Sequence, residues 1–137
     1  MITQMSVFIE NRPGRILKIT RELKEKGIDL WFATIADTKD FGILRLIARE
    51  HDRAVQVLKD AGFTVKTTEL IGVGVNDEPG GLSGVLEMLD AGSVNVEYIY
   101  AHAHKSGAAV FVKVSDEAKA IGLLKEKGLK ILDQSML

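Results

Sequence analysis

Residues 9–16, Ile-Glu-Asn-Arg-Pro-Gly-Arg-Ile, return as residues 75–82, Val-Asn-Asp-Glu-Pro-Gly-Gly-Leu. The offset of 66 positions from Ile9 to Val75 then holds without a gap to the end of the sequence. Direct identities at that offset are few: Val7/Val73, Pro13/Pro79, Gly14/Gly80, Leu23/Leu89, Lys39/Lys105, Ala54/Ala120, Leu58/Leu124, Lys59/Lys125 and Gly62/Gly128. What persists is the spacing of turns and apolar positions, the signature of an internal repeat. The repeat predicts two units, residues 1–69 and 70–137. Each is small enough that its core needs a neighbour.

Within the first copy, residues 3–10 alternate Met5, Val7 and Ile9 against Ser6, Phe8 and Glu10, as a strand does. Ile16, Ile19, Thr20 and Leu23 recur at helical spacing. Pro13 is expected in the first helical turn, and Gly27 ends the helix after Lys24 and Lys26. Residues 28–36 read as a second strand, Asp37-Thr38-Lys39-Asp40 as a hairpin turn and 41–49 as a third strand. A helix follows over 52–61 with Ala54, Val55, Val57, Leu58 and Ala61 buried. Gly62 closes it, and 63–70 read as a fourth strand. Val73, Val75, Leu82, Val85, Leu86, Leu89, the strands at 94–103 and 107–114, and the apolar set Ala120, Ile121, Leu123 and Leu124 repeat the plan.

The fold class is therefore α+β: two tandem ferredoxin-like βαββαβ units, with antiparallel sheets and helices on one face. Phe63 to Val75 contains no proline, so the last strand of one unit is expected to flow into the first of the next. The uncovered sheet face is apolar too. Trp31, Ala33 and Ile35 are expected to oppose Leu30 and Phe32, and Ile43 and Ile47 to oppose Leu44 and Leu46. Two apolar faces call for a partner, most simply a second copy of the chain.

Composition narrows the function. There is no cysteine, so disulfides, thiol catalysis and thiolate metal sites are excluded. A net charge of −1 argues against a dedicated nucleic-acid binder. All the arginines lie in the first copy, so the copies are not electrically equivalent. Residues 1–5 lack the basic stretch and apolar run of a signal peptide. No segment has the length of a membrane span. A cytoplasmic protein is expected.

The chemistry resides in the turn Asn11-Arg12-Pro13-Gly14 and its echo Asp77-Glu78-Pro79-Gly80. Asn offers a donor and an acceptor, Gly lets a ligand approach the backbone, and the free N–H groups of the following helix suit a carboxylate. Asn and Asp also cap helices without any ligand; duplication of the turn with this topology favours binding. His102 and His104 point the same way on one strand, as two metal ligands would, but nothing nearby completes a site. Surface histidines are the expectation, with no metal and no cofactor. Gly72 and Gly74 share one strand face, where a packed neighbour is expected. Trp31, Tyr98 and Tyr100 are expected in a core or dimer interface.

The Asn/Asp-x-Pro-Gly-x-Ile/Leu turn in both copies, with Gly-Ile-Asp-Leu at 27–30 and Ser-Val-Asn-Val at 93–96, resembles the ACT domain family. The resemblance covers nearly the whole chain as a tandem pair. Glu-Asn-Arg-Pro-Gly at 10–14 is especially similar to the regulatory domain of phosphoglycerate dehydrogenase. The resemblance implies a non-catalytic regulatory module that binds an amino acid or similar small molecule where two such domains pair. It implies a ligand site at Asn11, Arg12, Pro13, Gly14, Arg15 and Ile16, with Asn95 and Asp29 at the starts of the second strands. The echo supplies Asp77, Glu78, Pro79, Gly80, Gly81 and Leu82. By position Asn11 pairs with Asn95 and Asp77 with Asp29. The amide pair suits a zwitterion, whereas two acids repel a carboxylate. The Asn11/Asn95 pocket is thus the expected amino-acid site.

Partners expected on this reading are a small-molecule ligand, a second copy of the chain and a regulated metabolic enzyme acting in trans. No nucleic acid and no membrane are expected. The alternative is a ferredoxin-like nucleic-acid-binding or purely protein-interaction module. The strands at 41–49 and 107–114 carry one aromatic each, too few for base stacking. An enzyme would need an acid, base or nucleophile set in a pocket, and neither copy offers one.

Overall fold

The computed structural model describes residues 1–37, 39–104 and 107–137. In chain order the elements are β1 (Ile2–Glu10), α1 (Arg15–Glu25), β2 (Leu30–Asp37), β3 (Phe41–Ala48), α2 (His51–Asp60) and β4 (Thr64–Val75). Then come α3 (Gly81–Ala91), β5 (Val96–His104), β6 (Gly107–Val114), α4 (Glu117–Glu126) and β7 (Lys130–Leu132), closed by a 3-10 turn at Gln134–Met136. The chain is two compact units, one of Thr3–Thr68 with Leu137 and one of Met1–Ile2 with Glu69–Met136. The expected strand at 63–70 and the strand after it are one element, β4. No proline interrupts it, and its two glycines, Gly72 and Gly74, stay in the ladder. It is the last strand of the first βαββαβ unit and the first of the second.

In the N-terminal unit the strand order is β2-β3-β1-β4, and in the C-terminal unit it is β5-β6-β4-β7. The printed pairings of β1 with β3, β2 with β3, β4 with β6, β5 with β6 and β4 with β7 are all antiparallel. Each unit buries one side of its sheet beneath its two helices. Met5, Val7 and Ile9 pack with Ile19, Leu23 and Leu58 in the first. Ile71 and Val73 pack with Val85, Leu89, Val110 and Leu124 in the second. The apolar identities of the repeat are the centres of these cores. Val7/Val73, Leu23/Leu89, Ala54/Ala120 and Leu58/Leu124 are all at most 1% exposed. Removing a buried Leu side chain costs about 2–5 kcal/mol, so these positions tolerate little change.

Two expectations about local geometry need correction. Pro13 and Pro79 do not open helices. They stand one residue before Gly14 and Gly80, whose φ of 86° and 95° turn the chain in the left-handed region, and the helices begin at Arg15 and Gly81. The first helical bonds run from Lys18 N–H to the Gly14 carbonyl at 3.0 Å and from Gly84 N–H to the Gly80 carbonyl at 2.9 Å. Glycine takes that conformation at little steric cost, which is why the turn repeats Pro-Gly.

The faces of β2 also differ from strict alternation. Leu30 pairs with Ala48 and Phe32 with Ile47, leaving Trp31 as a bulge. Leu30 therefore shares the helix-covered side with Ala33 and Ile35, while Phe32 and Ala36 join Phe8, Ile43 and Ile47 on the other. A bulge inserts one residue and inverts the faces beyond it. The repeat reproduces it in β5, between Val96 and Tyr98 at Glu97. The fourth strand of the second copy is shorter than that of the first, three residues followed by the 3-10 turn. The hairpin expected at 37–40 falls partly outside the described residues, at Thr38. So does Lys105, the partner of Lys39 in the repeat.

Helices α1, α2, α3 and α4 stop the same way, with paired backbone bonds across the last turn. At α1, Gly27 N–H donates to the Lys24 carbonyl and Ile28 N–H to that of Leu23. That motif needs a left-handed residue, supplied by Gly27, Gly62 and Gly128 but at α3 by Ser93, with φ of 55°. Gly72 is held for another reason. A Cβ there would lie 2.8 Å from Ile2 Cγ1 and 3.1 Å from Leu132 Cβ, so the expected packed neighbour is present.

Candidate functional site

At the first turn, Asn11 is tied to the β2–β3 hairpin. Its N–H donates to the Asp40 carbonyl at 2.9 Å and its Nδ2 to the Lys39 carbonyl at 3.3 Å. It does not cap α1, whose start has no side-chain cap. The capping explanation of Asn11 thus gives way to one in which its amide fastens turn to hairpin. Arg12 Nε meets Glu10 Oε2 at 2.8 Å in an exposed ion pair. Arg15 and Lys18 reach back over the Phe63 ring, 5.4 Å and 5.5 Å from its centroid. A stacked cation on an aromatic face contributes about 0.5–1 kcal/mol at exposed sites. Ile16 lies exposed on the same helix.

The second turn has the same backbone and a different setting. Asn76 Nδ2 donates to Glu78 Oε1 at 3.3 Å, and Gly81 N–H donates to the Glu78 carbonyl at 3.2 Å. Asp77 and Leu82 are exposed, and α3 has no side-chain cap either. Where the first copy has Arg15, Lys18 and Phe63, the second has Gly81, Gly84 and Leu129. A groove of about 540 Å³ opens there, lined by Asn76, Glu78, Pro79, Gly80, Val85, Met88 and Lys130 among others.

A second concavity is common to both units, at the end of the first helix and the start of the second strand. In the N-terminal unit it measures about 410 Å³ and includes Thr20, Leu23, Gly27, Asp29 and Leu30. In the C-terminal unit it measures about 530 Å³ and includes the repeat equivalents Leu86, Leu89, Ser93, Asn95 and Val96. The backbone of Asn95 is fixed to Ser115, with N–H to Oγ at 3.2 Å and carbonyl to Ser115 N–H at 3.0 Å. Its side chain is exposed beside the concavity. Asp29 also lines a smaller cavity of about 280 Å³ with Trp31, Arg49 and Glu50.

Each expected site residue therefore lies at a turn or in one of these hollows. Asn11, Arg12, Pro13, Gly14, Arg15 and Ile16 gather at the first turn, with Asp29 in the hollow of the same unit. Asp77, Glu78, Pro79, Gly80, Gly81 and Leu82 gather at the second, with Asn95 in that unit's hollow. Sequence reading missed Met88, Leu129 and Lys130. The available signal was the loss of Arg15, Lys18 and Phe63 at the corresponding positions of the repeat.

Other groups lie apart from these hollows. Tyr100 stacks near Phe111, centroids 5.5 Å apart, and Tyr98 is half-buried on the same strand. Burial lowers the pKa of His51 against a smaller opposing pull from Asp52, and its Nε2 lies 3.1 Å from Thr67 Oγ1. His102 pairs in register with Ala109, while the side chain of His104 lies outside the described residues. Among the described residues no group of three or more His, Cys, Asp or Glu could hold a metal ion.

The profile of the ACT domain pair family matches residues 1–137. Protein BT0572 from Bacteroides thetaiotaomicron is similar in structure at 39% identity with a TM-score of 0.93, over 98% of this chain and 93% of that one. The ligand-free regulatory subunit of aspartate kinase from Thermus thermophilus matches with a TM-score of 0.64 at 18% identity, over 90% and 89% of the two chains. That from Thermus flavus matches with a TM-score of 0.59 at 18% identity, over 90% of each. The last two likenesses bear on the fold. Among curated proteins none matches.

Proposed function

This chain belongs to the ACT domain pair family, and from that premise we propose a regulatory protein without catalytic activity that binds an amino acid where ACT domains pair. The observation that carries the reading is the doubled strand–turn–helix, built alike at Gly14 and Gly80, in a chain whose C-terminal unit also has a hollow that presents the Asn95 amide. Asn11 and Asn95 supply the polar contacts; an amide can donate to a carboxylate and accept from an ammonium. The similar aspartate kinase subunits are regulatory by their names, which agrees with a role in trans on a metabolic enzyme. Among the described residues, no helix is long and apolar enough to cross a membrane.

The protein acts as a homodimer on this reading. In the N-terminal unit, Phe8 is 49% and Phe41 63% exposed on the sheet face away from the helices, an apolar surface that a second copy covers. Phe8→Glu with Phe41→Glu is expected to give monomers by light scattering, and unchanged mass would contradict that interface.

The function is tested by a thermal-shift screen of the twenty amino acids on the whole chain. At least one raises the melting temperature with rising concentration, as a ligand of the folded form must. Asn11→Ala and Asn95→Ala each shrink that shift. Silence from every amino acid would sink the function, and full responses from both variants would remove these two residues from the site.

A further inference from the structure

Leu137 is a residue of the N-terminal unit, although the 3-10 turn before it, Gln134–Met136, belongs to the C-terminal one. Its burial is specific: Leu137 is 7% exposed and Met136 beside it 51%. The Leu137 carbonyl accepts a hydrogen bond from Arg49 Nη2, between the end of β3 and the start of α2. Leu137, Arg49 and Glu50 line the cavity of about 280 Å³ together with Gly27, Asp29 and Trp31. Trp31 is the bulge of β2. A bulge re-aims a side chain, and here it brings the indole to this cavity.

The turn before Leu137 is held within itself. Ser135 N–H donates to Asp133 Oδ1 at 2.9 Å and Met136 N–H to the Asp133 carbonyl at 3.0 Å. The turn therefore keeps its shape without Leu137, which is fastened by a buried side chain and a charge-assisted hydrogen bond. Ordering a residue costs conformational entropy, and a single residue held in this way opens locally at less cost than global unfolding. At the corresponding positions the second copy has Glu97 and Ser115 in place of Trp31 and Arg49, so the device belongs to the first unit. We propose that Leu137 is a latch, held by Arg49, that forms a removable wall of the cavity of Asp29 and Trp31. Closed, it narrows that cavity; open, it exposes both residues. The latch is a property of the chain's own conformation and does not rest on the proposed amino-acid ligand.

Trp31 is the chain's only tryptophan, so its fluorescence reads the latch directly. Acrylamide quenching is compared for the whole chain as parent, Leu137→Ser, Arg49→Met, Leu137→Met and Met136→Ala. Leu137→Ser raises the quenching constant and shifts the emission to longer wavelength, and so does Arg49→Met, at an exposed position. Leu137→Met, which keeps an apolar side chain of similar volume, leaves both at parent values, as does Met136→Ala. In urea, the parent loses its protection of Trp31 at a lower concentration than its far-ultraviolet circular dichroism, because the latch opens before the fold. Arg49→Met keeps the dichroism transition and loses the separate fluorescence step. Parent-like quenching in both Leu137→Ser and Arg49→Met overturns the latch. So do coincident fluorescence and dichroism transitions in the parent, which make Leu137 a fixed part of the fold. An effect of Met136→Ala equal to that of Leu137→Ser also overturns it, since any change near the turn would then suffice.

Discussion

The two strand–turn–helix copies share a backbone and differ in what stands over it. At the first, a Pro-Gly turn with φ of 86° leads into a helix whose Arg15 and Lys18 stack over Phe63. At the second, the same turn with φ of 95° leads into a helix with Gly81 and Gly84, and a groove lies open. Repetition preserved the positions that set the fold, chiefly buried Val, Leu and Ala and the turn glycines. It left the positions above the turn free to diverge, because side chains there do not define the core. Equal frames thus carry unequal sites.

The largest expected effect breaks the equality of the two sheets on their faces away from the helices. Gly72→Ala places a Cβ against Ile2 and Leu132, and overpacking of this kind costs about 1–3 kcal/mol. The corresponding first-copy residue is Ser6, which already carries a Cβ, so Ser6→Ala is expected to cost less. Urea denaturation of both variants reads the difference, and equal losses would deny it.

Next come the turns. Gly14→Ala and Gly80→Ala force alanine into a left-handed conformation in open space, at about 1–2 kcal/mol each. Equal destabilisation sharpens the view that the turn backbone is shared; a marked inequality would mean that one turn is held by more than its glycine.

A smaller gain is expected at the end of α3. Ser93 occupies the left-handed position that Gly27 fills in the first copy, so Ser93→Gly should stabilise by a few tenths of a kcal/mol to about 1 kcal/mol. A fall in melting temperature would contradict this.

The smallest effect is read against pH. His51 is buried, and burial holds its pKa below the ordinary 6.5. The unfolded chain therefore binds a proton more readily than the folded one as pH falls. Stability is full above about pH 6.5 and declines from there toward the lowered folded pKa. The second copy has Glu117 at this position, so the effect belongs to the first unit alone. His51→Gln should flatten that part of the stability profile, and an unchanged slope would point to another group.

Much of the fold was legible because the repeat let each copy check the other. Gly62 and Gly128, or Leu23 and Leu89, would be weak signals singly. The continuous β4 was legible from the lack of proline and the scarcity of loop formers between Phe63 and Val75. The bulges at Trp31 and Glu97 were not, since a strand with apolar residues on both faces gives no period to betray an extra residue. Nor was the place of Pro13, because proline suits both a turn and a first helical position; the left-handed glycine after it decides the matter. At the candidate site, the turn residues were visible as a motif. Met88 and Lys130 were not, because their approach to the turn depends on how α3 and β7 pack. The trace in the sequence was the exchange of Arg15 and Lys18 for Gly81 and Gly84.

The inequality of the two copies is tested most directly by mapping backbone amide chemical shifts on the whole chain as the best-binding amino acid is added. Saturable shifts are expected at Ser93, Asn95 and Val96, with Gly27, Asp29 and Leu30 at the corresponding positions unmoved. Equal movement of both sets, or movement of the first-copy set alone, would contradict the account.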